Sequence, residues 1–457
     1  MVGKLLVATA LCVGLAEGGH HSAAANPIYP AKPLMTLQNT TSHGKRYDIA
    51  TADGVALKVL HVYGSATEMG RASGELLGPI AEDFLVNALP KFYASEIGSI
   101  DLPSLPAWLQ KLIKGAGAAV APAVFGEALG FVLSQEHAYI QASRAQPLAE
   151  IDGMAAGLCS SGAHGDPGAC DTTALSATIA RVNMLPELIR MTCTMMGAWG
   201  KATATPAAAA SASGGGGGLV QLRALDFGSG PFANYSVLTV YHPTEGNAFA
   251  SLGFPGMVGA ITGWSDKVAL SEKVWETYDG SGVQPGHYDG EPVVAVIRDM
   301  LQFSDTKEDA VAFAQSIART WAVFLGVGDA ASGQFDALGY REANLTVYGP
   351  ANVSQVTHMP AMEDLVYIDK HPQPSHDNVT MPALMAKNYG SITAVNTIDA
   401  CRVMGTGDLH NAVYDFSARK TFLSLGTIDA NGDYIEKACD RPYLEFDWDA
   451  LFGEPQP

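Results

Sequence analysis

Between residues 64 and 192 the apolar positions recur at helical spacing. Met69, Ala72, Leu76 and Leu77 share one face, and so do Ile80, Phe84 and Leu85. Trp108, Leu109, Leu112 and Ile113 form a further stripe. Gly115 to Leu133 is the most apolar stretch after the N-terminus, but Pro122, Glu127 and several glycines interrupt it. That pattern predicts one or two buried helices rather than a bilayer span; a helical pair touching a membrane is the alternative. Thr203 to Gly218 has no side chains with which to build a core, only Ala, Ser and Thr followed by glycines, and reads as a flexible insert. Beyond it the period changes to that of strands. Leu219 to Leu225, Tyr235 to Tyr241, Phe249 to Leu252 and Lys267 to Leu270 read as β. Two helices follow, Pro292 to Phe303 and Glu308 to Arg319, the second opened by Asp305 with Glu308 as a capping pair. Strands return at Trp321 to Leu325, Ala412 to Phe416 and Lys420 to Leu425, and Asp429 to Gly432 reads as a hairpin-like turn. Helices, strands, two helices and strands again fit a layered sandwich with helices outside the sheets.

The chain has 457 residues, enough for one large body or two packed lobes. With 27 Lys and Arg against 46 Asp and Glu, its formal charge is −19, which disfavours nucleic acid as a partner. Residues 1–25 read as a secretory signal: Lys4, an apolar run from Leu5 to Ala16, then Ala23-Ala24-Ala25 before Asn26. Sequons at Asn39, Asn234, Asn344, Asn352 and Asn378 agree with a lumenal glycoprotein. The expected destination is the secretory pathway, ending in a lysosome-like acidic compartment or outside the cell. Once Cys12 leaves with the signal, Cys159, Cys170, Cys193, Cys401 and Cys439 remain, an odd number. Cys159 and Cys170 can close a short loop, and Cys401 and Cys439 can clip the C-terminal region. Cys193 is then left as the free thiol; a buried inert thiol or another pairing stays open.

Common hydrolase signatures are absent. There is no G-x-S-x-G elbow, no H-E-x-x-H, and no phosphate loop; nothing signals a cofactor or a metal. What remains is Cys193, which follows the helical region at the start of a strand-like segment. Downstream of the insert lies Arg223-Ala-Leu-Asp226. A bend near Leu225 would bring Arg223 and Asp226 to one site. A regular strand would put them on opposite faces, and a surface ion pair is the ordinary alternative. His410 and Asn411 read as polar residues at a strand start.

Several segments in order carry a family resemblance: Gly64-Ser-Ala-Thr-Glu-Met-Gly-Arg-Ala-Ser-Gly-Glu-Leu-Leu-Gly78, Thr192-Cys-Thr194, Arg223-Ala-Leu-Asp226, Gly253 to Gly263, Arg298 to Phe303, Gly326 to Asp329, Asp369 to Asp377 and Gly405 to Asp415. From about Val62 onward the chain resembles the acid ceramidase and isopenicillin-N acyltransferase-like branch of the N-terminal nucleophile hydrolases, nearest to slime-mould acid-ceramidase-like, phospholipase-B-like secreted proteins. The resemblance implies an α+β fold, a four-layer αββα sandwich, with a helical α-chain (26–192) preceding a β-chain (193–457) that carries the 203–218 insert. It implies autocatalytic scission between Thr192 and Cys193, with the two chains staying associated. Cys193 would then be nucleophile and, through its freed amine, base, oriented by Arg223 and Asp226. Ser265, Asp369 and His371 stand nearest to where such relatives place oxyanion or positioning groups. The implied activity is hydrolysis of a linear, non-peptide amide, such as a ceramide or an N-acyl-ethanolamine, through a Cys193 thioester. The implied partner is a small amphiphilic substrate, with transient lipid contact and no cofactor. An ester hydrolase or acyltransferase on the same scaffold, or a secreted glycoprotein whose site has decayed, are the rival readings.

Overall fold

The computed structural model describes residues 32–50, 56–100, 105–163, 169–189, 192–204, 217–228, 230–275, 288–320, 322–370 and 380–457. The signal segment, His371, Asn378 and most of the insert lie outside these residues. The described strands run in chain order as β1 (Met35–Thr41), β2 (Gly44–Ala50), β3 (Ala56–Gly64), β4 (Thr192–Gly200), β5 (Gly217–Asp226), β6 (Val237–Pro243), β7 (Phe249–Gly253), β8 (Thr262–Ser265), β9 (Val268–Val274), β10 (Val323–Asp329), β11 (Gln334–Tyr340), β12 (Leu345–Tyr348), β13 (Leu365–Ile368), β14 (His410–Asp415), β15 (Lys420–Leu425), β16 (Thr427–Ile428), β17 (Tyr434–Glu436) and β18 (Leu444–Asp447). The helices are α1 (Ala66–Glu82), α2 (Leu89–Glu96), α3 (Ala107–Lys114), α4 (Ala121–Ala142), α5 (Pro147–Ser160), α6 (Thr172–Asn183), α7 (Leu185–Leu188), α8 (Val293–Phe303), α9 (Lys307–Ser316), α10 (Ser354–Thr357), α11 (Met381–Asn388), α12 (Ala394–Met404) and α13 (Trp448–Phe452).

Two large sheets carry the fold. The first has the order β1-β2-β3-β6-β7-β8-β9-β10-β11-β12, and the second β13-β4-β5-β14-β15-β18. Three hydrophobic clusters define the layers. Leu60 and Val62 of β3 with Val268 and Leu270 of β9 face helices α1 to α9. Val59, Leu238, Trp264 and Phe335 of the first sheet pack on Met195, Ala412, Tyr414 and Leu423 of the second. Met196, Leu222 and Val413 on the second sheet's other face meet Met385, Ile398 and Met404 of α11 and α12. Helices, sheet, sheet, helices is the expected α+β, αββα sandwich.

Four expectations need correction. The segment before residue 192 is not purely helical, since β1 to β3 join the first sheet and β3 pairs in parallel with β6. In β3, Leu57 and Val59 face one apolar layer and Leu60 and Val62 the other, so apolar residues fall on both faces and the strand shows no clean alternation. The cap of α9 lies one residue later than expected. Thr306 Oγ1 accepts from Asp309 N–H at 3.2 Å, and Asp309 Oδ2 accepts from Thr306 N–H at 3.1 Å. Cys159 and Cys170 form a disulfide with Cα atoms 5.6 Å apart, whereas Cys401 and Cys439 are free buried thiols. Each of those two packs as a small apolar side chain in the cluster under α12. Finally, Tyr235 closes a short 3-10 turn, and the strand begins at Val237.

No helix among the described residues is long and apolar enough to cross a membrane. Among the sequons, Asn39, Asn234 and Asn344 are exposed. Asn352 is engaged in its own turn, accepting from Gly349 N–H at 2.8 Å and donating to the Val347 carbonyl at 3.0 Å.

Candidate active site

Cys193 is the second residue of β4 and is fully buried. The antiparallel register sets Cys193 opposite Leu225 and Met195 opposite Arg223, while His410 of β14 lies opposite Leu225 from the other side. Directly paired residues share a face of a sheet. Cys193, Leu225, Arg223 and His410 therefore all point into the layer between the sheets. The insert does not prevent this, because β4 and β5 pair continuously from Thr192–Asp226 to Gly200–Gly217, with one bulge.

Arg223 is fully buried on the same face of the sheet as Cys193, and its charge acts on the Cys193 thiol. It donates through Nη2 to Glu272 Oε2 at 3.1 Å, through Nη1 to the Ala224 carbonyl at 3.0 Å, and through Nε to the Ile261 carbonyl at 3.5 Å. Burial pushes the Cys193 thiol up to about 12, with Arg223 acting in the opposite sense and Glu272 adding to the rise. In this arrangement the thiol keeps its proton. His410 is buried with Nε2 2.9 Å from Thr262 Oγ1, and burial beside Arg223 holds its pKa well below the ordinary range, so the ring is neutral.

Asp226 lies on the opposite face. The strand does not bend at Leu225, and Asp226 is paired with Thr192, level with the Thr192–Cys193 peptide. Its carboxylate accepts from Thr406 Oγ1 at 2.6 Å, Gly407 N–H at 2.8 Å and Lys370 Nζ at 3.3 Å. The sequence-predicted pair thus brackets β4, Arg223 beside the sulfur and Asp226 behind the backbone.

The remaining candidates fall elsewhere. Ser265 ends β8, at the other end of that strand from Thr262, and accepts from Lys267 and Val268 N–H at 3.1 and 3.0 Å, closing the β8–β9 turn. Asp369 is buried and accepts from Met381 N–H at 3.2 Å, at the start of α11. Asn411 faces away from Cys193 and donates to Thr406 O and Tyr443 Oη. Sequence reasoning missed Glu272 and Thr262. For Glu272 the signal was available: Glu272-Lys273 are two charges inside an otherwise apolar strand, and both are buried.

A small apolar cavity of about 30 Å3 adjoins the row. Leu225 and His410 form one wall, and Leu185, Pro186 and Ile189, just upstream of Thr192, form another. The described residues contain no cluster of His, Cys, Asp and Glu able to hold a metal ion.

No family model matches the chain. Protein dcd1B of Dictyostelium discoideum is 31% identical over 455 residues, spanning 94% of this chain and 81% of that protein. The chain belongs to the dcd1 family. Protein dcd1A of the same organism is 28% identical over 452 residues, spanning 94% of this chain and 92% of that relative. Among solved structures, the Caenorhabditis elegans N-acylethanolamine-hydrolyzing acid amidase ortholog gives a TM-score of 0.37 at 14% identity, covering 49% of this chain and 92% of that one. Penicillin V acylase from Agrobacterium tumefaciens gives 0.33 at 13%, covering 51% and 83%.

Proposed function

We propose that this protein is a self-cleaving amidase of the N-terminal nucleophile type. The supporting observation is a buried Cys193 with Arg223 beside its sulfur and an apolar cavity next door. In the maturation step, the Cys193 sulfur attacks the Thr192 carbonyl carbon. The C–N bond breaks as the thiol proton passes to the departing nitrogen, leaving a thioester. Water adds to the thioester carbonyl, Thr192 leaves as a carboxylic acid, and the sulfur recovers a proton. Cys193 then carries a free α-amine with an ordinary pKa near 8, able to take the thiol proton in each turnover. The thiolate attacks a substrate amide carbonyl, and the amine returns the proton to the leaving nitrogen. A second water releases the acyl acid. Arg223 favours the thiolate by its positive charge.

The apolar lining of the cavity supports the substrate class. A linear amide with an apolar acyl chain, such as an N-acyl lipid, suits a wall of leucine, isoleucine and phenylalanine. Leu185, Pro186 and Ile189 line the cavity in the intact chain, and scission after Thr192 would free the chain end that follows them. The two chains stay together because β3 remains paired with β6 from Lys58–Val237 to Gly64–Pro243. Transient contact with a lipid surface is supported by α3, where Trp108 and Leu112 are exposed beside Lys111 and Lys114. The Cys159–Cys170 disulfide supports an oxidising, secretory-pathway origin.

The test is a denaturing gel with intact-mass measurement on protein secreted from eukaryotic cells. The wild type is expected as two fragments, the larger beginning at Cys193. Cys193→Ala is expected as one uncut chain without amide hydrolysis. Wild-type chain still joined between residues 192 and 193, or a Cys193→Ala variant that cleaves there, defeats the proposal.

A further inference from the structure

Lys370 follows β13, which borders β4 on the side away from β5. The β13–β4 pairing ends at Ile368 opposite Met195, and Lys370 lies two residues beyond it, in a bend past the end of the strand. Lys370 N–H donates to Thr194 Oγ1 at 3.1 Å, which ties the bend to β4. The Lys370 ammonium nevertheless meets Asp226 of β5 at 3.3 Å. The side chain must therefore reach over β4 between Thr192 and Thr194. It does so on the face opposite the thiol, at the height of the Thr192–Cys193 peptide. Its ammonium also donates to the Gly405 carbonyl. Thr406 Oγ1 bridges Thr194 Oγ1 at 2.8 Å and Asp226 at 2.6 Å, so the bridge is fixed at several points.

We propose that Lys370 is a positioning residue that keeps the α-amine of mature Cys193 in its basic form. The inference rests on the self-cleavage reading above. In the intact chain, Lys370 is the cation that pairs with Asp226. Scission creates a second nitrogen base beside the same single carboxylate. Two cations there would repel one another, and one carboxylate neutralises only one of them. The α-amine is the weaker base, near 8 against about 10.4 for lysine, so it is the one that gives up its proton. The nucleophile's base is thus deprotonated at a lower pH than a free amine would be.

Other groups do not supply the missing negative charge. On this face Asp408 is paired with Lys437 at 3.2 Å, and Asp369 is turned to the α11 backbone. Cys401, Cys439, Tyr434 and Tyr443 stand nearby with burial raising the pKa of each, so none is anionic. On the sulfur's face, Arg223 is matched by Glu272, Lys273 lies beside that pair, and His410 and Tyr414 are neutral.

The experiment labels amines of mature protein by reductive methylation with formaldehyde across pH, reading the Cys193 N-terminal peptide by mass spectrometry. In wild type the labelling midpoint is expected below 8. In Lys370→Met it rises by about one pH unit, and Lys370→Arg restores the wild-type value. A wild-type midpoint at or above 8 overturns the assignment even if Lys370→Met does not fold. An unchanged midpoint in a folded Lys370→Met also overturns it, since a merely structural lysine would leave the amine alone. If wild type shows no Cys193 N-terminus, the self-cleavage reading itself fails.

Discussion

Arg223 and Glu272 are both buried, so each is the other's main compensation for lost hydration. Removing one partner leaves an uncompensated charge, whereas removing both leaves an apolar gap that can repack. Arg223→Met, made in a Cys193→Ala background to keep the chain intact, is expected to lower unfolding free energy by about 3–5 kcal/mol. Adding Glu272→Leu should recover most of that loss. Equilibrium denaturant unfolding of the three proteins measures both effects; a single variant as stable as its parent would mean the pair is not coupled as described. At this scale the sequence singled out Cys193 by elimination, but that elimination used a Cys401–Cys439 pairing the structure does not form, so spacing alone did not distinguish it from the other two free thiols. The sequence disclosed Arg223 and Asp226 by spacing but not their sides, because the side depends on whether β5 runs straight. Glu272 stayed hidden because its partner comes from a strand far away in the chain.

Among the elements, α1 and α5 approach so closely that their backbones touch. A Cβ added to Gly70 would lie 2.0 Å from the Glu150 carbonyl oxygen, and one on Gly74 would lie 2.2 Å from that of Met154. The relation is reciprocal, since Gly153 and Gly157 would each place a Cβ 2.2 Å from an α1 carbonyl oxygen, at Thr67 and Arg71. The glycine spacing within the Gly64–Gly78 segment thus reports a helix crossing. Gly74→Val forces the helices apart and is expected to cost at least 1–3 kcal/mol, seen as a lower unfolding midpoint and lower yield. Gly126 of α4 has open space around its missing side chain, so Gly126→Ala should be neutral or gain about 0.5–1 kcal/mol. Equal effects of the two changes would refute the packing account. Periodicity made the long helices and β5 to β7 legible. The polar edge strand β1 and the doubly buried β3 gave no clean alternation, which is why the first three strands escaped notice.

For the whole molecule, two buried populations pull stability in opposite directions with pH. Burial raises Glu187 from 4.5 to about 7 and Glu291 from 4.5 to about 8, and Glu136 lies well above its ordinary value. A carboxyl with a raised folded pKa stabilises the fold below its unfolded value and loses that contribution as pH climbs through the folded one. For Glu187 the full span is at most about 3 kcal/mol. Burial also lowers His61 from 6.5 to about 3 and His242 to about 4, and places His410 well below the ordinary range. Those histidines contribute fully above 6.5, and the contribution falls away toward the folded values. Between about 4.5 and 6.5 the two trends oppose each other, above that window only the carboxyls change, and below it only the histidines do. Thermal unfolding of Cys193→Ala should therefore show its highest midpoint near pH 5.5, lower by several degrees at pH 8 and at pH 3.5. Glu187→Gln should flatten the alkaline side while leaving the acid side in place, because an amide has no proton to lose. A midpoint that keeps rising to pH 8 would mean the buried acids do not govern stability.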